Sequence, residues 1–94
     1  MTKLKAIRKH LKDNGIQGLE ILSIDCSKCL YKDYGNYDIE ITVSNNKGKS
    51  EGYIYLWNTQ EGKHFGAKLL NSCKWIGLDN LYNKILEFDK MYQN

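Results

Sequence analysis

The sequence lacks most of the features that would indicate a chemistry at once. It has no proline, and its three cysteines are an odd number that fits a reducing compartment better than a disulfide framework. No apolar run approaches the roughly 18 residues of a membrane-spanning helix. The charged N-terminus has no signal-peptide apolar region, and no glycine-rich phosphate loop or catalytic set is present. We therefore expect a cytoplasmic protein that is not an enzyme and does not contact membranes.

Arginine is almost absent too, because Arg8 is the only one. Positive charge is concentrated at the start of the chain: residues 1–12 carry five cations and no acid, whereas residues 13–51 carry seven acids against four lysines. Planar, bidentate recognition of phosphate or guanine favours arginine. The lack of proline and the abundance of Lys, Asn, Ile and Tyr are typical of AT-rich genomes, such as those of low-GC bacteria, their phages and mobile elements.

The strongest pattern in the chain spans residues 37–57. Residues 37–44 alternate between apolar and polar side chains, as a strand with one buried face does, and residues 51–57 are rich in aromatic and β-branched side chains. Between them, Asn46 and Gly48 suit the positive φ angles of a tight turn. The pattern predicts a β-hairpin.

This hairpin has two candidate core faces. If Ile54 and Leu56 join the core, then Tyr53, Tyr55 and Trp57 lie on the outer face beside Asp38 and Glu40. Tyrosine and tryptophan dominate the energetics of protein–protein interfaces, so an exposed cluster of them indicates a binding surface. The alternative is that the aromatic residues are core and are covered by a helix, because a small domain needs large apolar side chains to be stable.

The remaining segments predict helices at both ends. Leu4, Ile7 and Leu11 recur at helical spacing after Thr2, a suitable N-cap, and before the stop signal Asn14-Gly15. Residues 16–25 read as a strand, 26–36 as a long connection and 58–66 as a loop, while 67–76 fit either a short helix or an edge strand. Asp79 is expected to cap a last helix, whose apolar stripe comprises Leu81, Ile85, Phe88 and Tyr92.

The predicted fold is one α+β domain covering residues 1–94. It has a small antiparallel sheet of about three strands between an N-terminal and a C-terminal helix, in the order α-β-β-β-α. This layout resembles that of double-stranded-RNA-binding domains and of small RNase toxins built on the same fold. The lysine cluster that such RNA-binding domains carry at the start of the last helix is missing from residues 77–82, and no Gly-Ser-His element is present. The resemblance therefore implies a layout and no shared function.

Two further groups of residues are candidates for binding. Lys5, Arg8, Lys9 and Lys12 on the first helix, with Lys47 and Lys49 at the hairpin tip, form a candidate nucleic-acid surface; the alternative is an ordinary solvated helix face. Cys26 and Cys29 have the spacing of half a zinc site, which His64 and Cys73 would complete. We expect ordinary reduced cysteines and no cofactor, with structural zinc as the alternative.

These observations favour a small binding protein that acts by covering a surface of another protein, for example a host nucleoprotein. In size and composition the chain is similar to phage and mobile-element inhibitors of host defence such as anti-CRISPR proteins. Direct nucleic-acid binding through the basic helix is the first alternative, and a zinc-stabilised adaptor is the second. A homodimer that buries the aromatic face is compatible with the same pattern.

Overall fold

The computed structural model describes residues 3–24, 27–35, 37–44, 50–58 and 68–92. In these segments the chain forms two helices and five strands: α1 (Lys3–Asp13), β1 (Glu20–Ile24), β2 (Ser27–Asp33), β3 (Tyr37–Val43), β4 (Glu51–Asn58), β5 (Lys68–Ile76) and α2 (Leu78–Tyr92). The α+β class with a helix at each end is confirmed. The expected number of about three strands is wrong, because the sheet has five.

The five strands form one antiparallel sheet in which each strand pairs with the next along the chain, so that β1 and β5 are the edges. Residues 67–76, which fitted either a helix or an edge strand, contain the edge strand β5. The pairing of β4 with β5 is shifted between Leu56 and Trp57, where β5 contains one extra residue. Such bulges strengthen the local twist of a sheet.

The strand that the sequence did not predict is β2, which occupies most of the expected connection 26–36. Its residues on the core face are Lys28, Leu30 and Lys32, so a single apolar side chain stands between two lysines and the alternation is weak. Leu30 is nevertheless fully buried opposite Ile41. Pairing with two neighbouring strands outweighs the polar composition here, since β-propensity depends strongly on context.

Helix α1 ends as the sequence predicts. Gly15 has a φ of 98°, and the Ile16 amide donates to the Leu11 carbonyl at 2.9 Å while the Gly15 amide donates to the Lys12 carbonyl at 3.0 Å. This is the Schellman arrangement, in which a left-handed residue closes the last turn. The buried side chains of Leu11 and Ile16 then continue into the core.

Helix α2 begins two residues earlier than an N-cap at Asp79 would place it. Its first residue is Leu78, so Asp79 lies in the first turn and is not the N-cap. The side chain of Asn80 instead accepts a hydrogen bond from the Ile76 amide at 2.9 Å. An acid in the first turn still favours the helix through the helix dipole. The expected stripe is confirmed for Leu81, Ile85 and Phe88, which are all buried; the side chain of Tyr92, the fourth member, lies outside the described part of the structure.

The core lies between the sheet and the two helices. Two cross-strand pairs of β3 and β4 form its centre, Ile39 with Leu56 and Ile41 with Ile54. All four residues are at most 1% exposed. Ile7 and Leu11 of α1 and the stripe of α2 pack against these residues. Both helices therefore cover the same face of the sheet.

Gly52 allows β3 and β4 to lie close together beside Trp75. Gly52 stands opposite Val43 on β3 and opposite Trp75 on β5. A Cβ atom at Gly52 would overlap the backbone carbonyl of Thr42. The Trp75 indole is fully buried and donates from Nε1 to that same carbonyl at 3.2 Å.

Several predicted features lie outside the described residues: the N-cap Thr2, the hairpin tip with Lys47 and Lys49, and residues 59–66 of the expected loop. Among the helices that the structure describes, none is both long enough and apolar enough to span a membrane.

Candidate binding face

The sheet face opposite the helices is the largest candidate site. We call it the open face, because no helix in the described part of the chain packs on it. Strand pairing places the following described side chains there: Glu20, Leu22, Cys29, Tyr31, Asp33, Asp38, Glu40, Thr42, Glu51, Tyr53, Tyr55, Trp57, Leu69, Ser72, Lys74 and Ile76.

An aromatic row runs along β4 on this face. The rings of Tyr53 and Tyr55 stack with their centroids 6.1 Å apart, and the Trp57 ring follows at 6.3 Å from Tyr55. Tyr53 is 45% exposed, while the other two are half-buried. Alternate residues of a strand point to one side, which is why three aromatic side chains spaced by two form one row.

The two alternatives for the hairpin are thereby distinguished in geometry. Ile54 and Leu56 are fully buried under the helices, and the three aromatic residues between and beside them point to the other side. The open face also holds exposed aliphatic side chains at its margins, namely Leu22, Leu69 and Ile76. Clusters of exposed apolar side chains are typical of interaction surfaces. The role of the face in binding remains a prediction.

The two carboxylates predicted to accompany the aromatic row lie beside it. Glu40 stands opposite Tyr55, and its Oε1 accepts a hydrogen bond from Trp57 Nε1 at 3.0 Å. Asp38 stands opposite Trp57 on one side and Asp33 on the other. It is only 5% exposed, its Oδ1 atom has no hydrogen-bond partner, and burial raises its pKa above the usual range of an aspartate.

At the other end of the row, Tyr53 borders a hollow of about 240 Å³ that is also lined by Thr42 and Lys74. The Lys74 ammonium lies 3.5 Å from Glu51 Oε2. Glu51 is largely buried, whereas Lys74 is about half exposed. The ion pair therefore links β4 to the edge strand β5 beside Tyr53, the most exposed ring of the aromatic row.

The cations predicted to contact nucleic acid gather in a different place. Lys5, Arg8, Lys9 and Lys12 line one groove of about 460 Å³, whose floor includes Ile16 and Leu19. Lys9 also forms an ion pair with Asp13 at 2.9 Å, with both side chains exposed to solvent. Since α1 packs on the covered face of the sheet, this groove and the open face belong to opposite sides of the molecule. Lys47 and Lys49 lie outside the described residues.

The proposed zinc ligands are not brought together. Cys29 lies on the open face, whereas Cys73 lies on the covered face opposite Ile54. Their strands, β2 and β5, are three strand spacings apart, roughly 14 Å. One ion therefore cannot contact both sulfur atoms. Cys26 and His64 lie outside the described residues, and no three His, Cys, Asp or Glu side chains within the described segments form a metal-binding group.

The described thiols are also poorly suited to nucleophilic chemistry. Cys29 is 1% exposed, and burial, assisted by the nearby Glu40 carboxylate, raises its pKa to about 11. Burial also raises the pKa of Cys73; Lys84 lowers it and Glu87 raises it, with smaller effects than burial. Because the thiolate is the reactive form, a raised pKa makes both thiols less reactive than an exposed cysteine.

Sequence reasoning missed the part of the open face that belongs to β2 and β5. Cys29, Tyr31 and Asp33 alternate with the core-facing residues of β2, and Tyr34-Gly35 then forms the turn into β3. The turn is closed by the Tyr34 amide, which donates to the Tyr37 carbonyl at 2.9 Å, and the Asp33 carboxylate accepts from the Gly35 amide at 2.7 Å. An Asp-x-Gly turn directly before a strong strand was the available signal.

The comparisons with known proteins return no relative. No model of a protein family matches the chain, and neither a curated protein nor a solved structure is significantly similar to it.

Proposed function

We propose that this chain is a non-enzymatic binding protein whose open face covers a surface of another protein in the cytoplasm. The observation that carries the proposal is the row of neighbouring rings formed by Tyr53, Tyr55 and Trp57 on a sheet face that no described helix covers. Aromatic side chains on a rigid strand provide a large contact area at a low cost in conformational entropy.

The mechanism is occlusion. A domain of this size presents a face only a few strands wide, which is enough to cover an active site or a nucleic-acid-binding surface of a larger protein. We propose that the chain acts in this way as an inhibitor encoded by a phage or mobile element, directed at a host defence protein. The mechanism requires no catalytic residue and no cofactor.

The test is affinity capture with paired variants. The chain, Trp57→Ala and Lys9→Gln are immobilised and incubated with nuclease-treated lysate of the source cells, and retained proteins are identified by mass spectrometry. The proposal predicts one stoichiometric protein with the parent chain and with Lys9→Gln. With the purified protein, Trp57→Ala should bind at least about thirtyfold more weakly, a loss of about 2 kcal/mol.

A circular dichroism spectrum of Trp57→Ala that matches the parent spectrum is the required control. If Trp57→Ala unfolds the chain, Tyr53→Ser provides the same test at the more exposed end of the row. Unchanged affinity in a folded variant of the row would contradict the proposal.

Direct nucleic-acid binding is the second candidate function. It is favoured by one observation, the convergence of Lys5, Arg8, Lys9 and Lys12 on a single groove. Contacts to phosphates release counterions, so affinity for a labelled oligonucleotide should fall steeply as salt rises. Replacing Lys5, Lys9 and Lys12 with glutamine should reduce both the affinity and the salt dependence. Binding that is unaffected by these replacements would remove this candidate.

A further inference from the structure

The open face has a strong imbalance of charge. Strand pairing places five carboxylates on it, those of Glu20, Asp33, Asp38, Glu40 and Glu51. Its one described cation, Lys74, is paired with Glu51. The remaining four have no described cation within salt-bridge distance, although the chain as a whole has a net charge of +3.

One of these carboxylates is buried without compensation. Asp38 is 95% buried, Oδ1 accepts no hydrogen bond, and its cross-strand neighbours are another acid, Asp33, and the aromatic Trp57. Directly opposed like charges destabilise a sheet, and a buried polar atom without a partner costs free energy. An arrangement that is unfavourable in the isolated chain becomes favourable when a cation is supplied from outside.

The neighbouring rings suit the same kind of ligand. The faces of tyrosine and tryptophan rings attract cations, and a guanidinium group can stack on the ring while it donates hydrogen bonds at its edge. The hydrogen bond from Trp57 Nε1 holds the Glu40 carboxylate beside the indole. Acceptors for the hydrogen bonds of a cation therefore stand next to the rings on which it would stack.

We propose that the surface recognised by the open face is cationic, with arginine or lysine side chains of a partner protein lying on Tyr55 and Trp57, pairing with Glu40 and placing their positive charge beside the buried Asp38 carboxylate. This inference rests on the proposed function and specifies the chemistry of its partner. Phosphate groups would be repelled by the same four carboxylates, which makes nucleic acid a poor occupant of this face.

The test uses the two tryptophans as separate reporters. In a nitrogen–proton correlation spectrum the two indole N–H signals arise from Trp57 on the open face and Trp75 in the core, and Trp57→Phe assigns them. Titration with an oligoarginine peptide should shift the Trp57 signal in a saturable way and leave that of Trp75 in place. An oligoglutamate peptide of equal length should shift neither.

Two isosteric variants test the carboxylates. Asp38→Asn should weaken peptide binding about tenfold because it removes an attractive buried charge, and Glu40→Gln should do so because it removes a charge-assisted contact, while Lys9→Gln should bind as well as the parent. Because Asp38→Asn removes an uncompensated charge, its melting temperature should be equal to or higher than that of the parent. A loss of affinity in that variant is then not due to unfolding.

Three results would overturn the inference. The first is a Trp57 signal that responds to a single-stranded oligonucleotide and not to oligoarginine. The second is a Trp57 signal that moves with protein concentration alone, which indicates self-association. The third is a peptide affinity that neither isosteric variant changes. Failure of the inference is distinguishable from failure of the proposed function. If Trp57→Ala abolishes binding of the captured protein but Asp38→Asn and Glu40→Gln do not, the binding function stands and its partner is not cationic.

Discussion

The two faces of the sheet belong to the same five strands, yet their side chains differ in kind and in burial. On the covered face, Ile39, Ile41, Ile54 and Leu56 are withdrawn from water by α1 and α2. On the open face, the same strands present tyrosine, tryptophan and carboxylate side chains. Folding explains the first set, because burial of apolar area is its main driving force. It does not explain the second, which contains a carboxylate, Asp38, that opposes stability.

The contrast between the two faces indicates which residues serve the fold and which are candidates for function. The Trp75 indole serves the fold: it is fully buried and donates a hydrogen bond to the Thr42 carbonyl. Trp57, in contrast, is half-buried on a face that no described helix covers, next to the unpaired acid Asp38. The comparison of these two tryptophans in one small domain separates a structural role from a proposed binding role.

The largest expected difference in stability is between two truncations at neighbouring residues of β4 whose side chains lie on opposite faces of the sheet. Ile54→Ala should reduce the free energy of unfolding by about 2–5 kcal/mol, because it leaves a cavity in a fully buried site. Tyr53→Ala, one residue away and 45% exposed, should change it by less than about 1 kcal/mol. Urea unfolding of both variants checks this. Equal losses would mean that the two faces are not distinct in the way described.

An intermediate effect is expected at Gly52 on the covered face. Gly52→Ala should cost about 1–3 kcal/mol, because the added methyl group overlaps the Thr42 carbonyl and forces the strands apart. The same shift should weaken the Trp75 hydrogen bond and alter the near-ultraviolet circular dichroism of the indole. Ser72→Ala, an exposed position on the open face, is the matched control and should be neutral. A Gly52→Ala variant as stable as the parent would show that the strands have room to separate.

The smallest effect concerns pH and Asp38. Burial raises the pKa of Asp38 in the folded chain, so the folded state holds this proton more tightly than the unfolded state does. The free energy of unfolding therefore falls as pH rises from the ordinary aspartate range through the raised pKa. The charged groups facing Asp38 across the strands and along β3, Asp33 and Glu40, are themselves acids and do not offset this loss.

Asp38→Asn removes that contribution. The stability of the variant relative to the parent should rise with pH over this window and then level off. Urea unfolding of both proteins at a series of pH values measures the difference, in which the titration of all other groups largely cancels. A difference that is constant, or that falls as pH rises, would contradict the described environment of Asp38.

The parts of the fold that the sequence predicted are those with strong periodic patterns. The alternation in β3, the stripe Leu81, Ile85 and Phe88 in α2 and the Asn14-Gly15 stop of α1 each reflect one dominant local rule. Of the two alternatives for the central hairpin, the one that places Ile54 and Leu56 in the core agrees with the structure. What the hairpin pattern could not provide was the choice between them, because that depends on where the helices pack.

Strand β2 escaped prediction for a related reason. Lys32 is half-buried, and its ammonium lies 4.7 Å from the centre of the Tyr34 ring, so its aliphatic stem can cover apolar surface while the charge remains stabilised. A sequence pattern counts such a lysine as polar, so the buried face of the strand is not recognised. The separation of Cys29 from Cys73 could likewise not be deduced, since it depends on strand order and on the face each residue occupies.

Hydroxyl-radical footprinting of the complex can show whether the open face is the binding face. The purified chain is oxidised alone and in complex with its captured protein, and the modified residues are mapped by mass spectrometry. We expect Tyr53, Tyr55 and Trp57 to react in the free chain and to be protected in the complex, while Trp75 reacts in neither. Protection that falls on α1, or an aromatic row that is already inert in the free chain, would contradict this expectation.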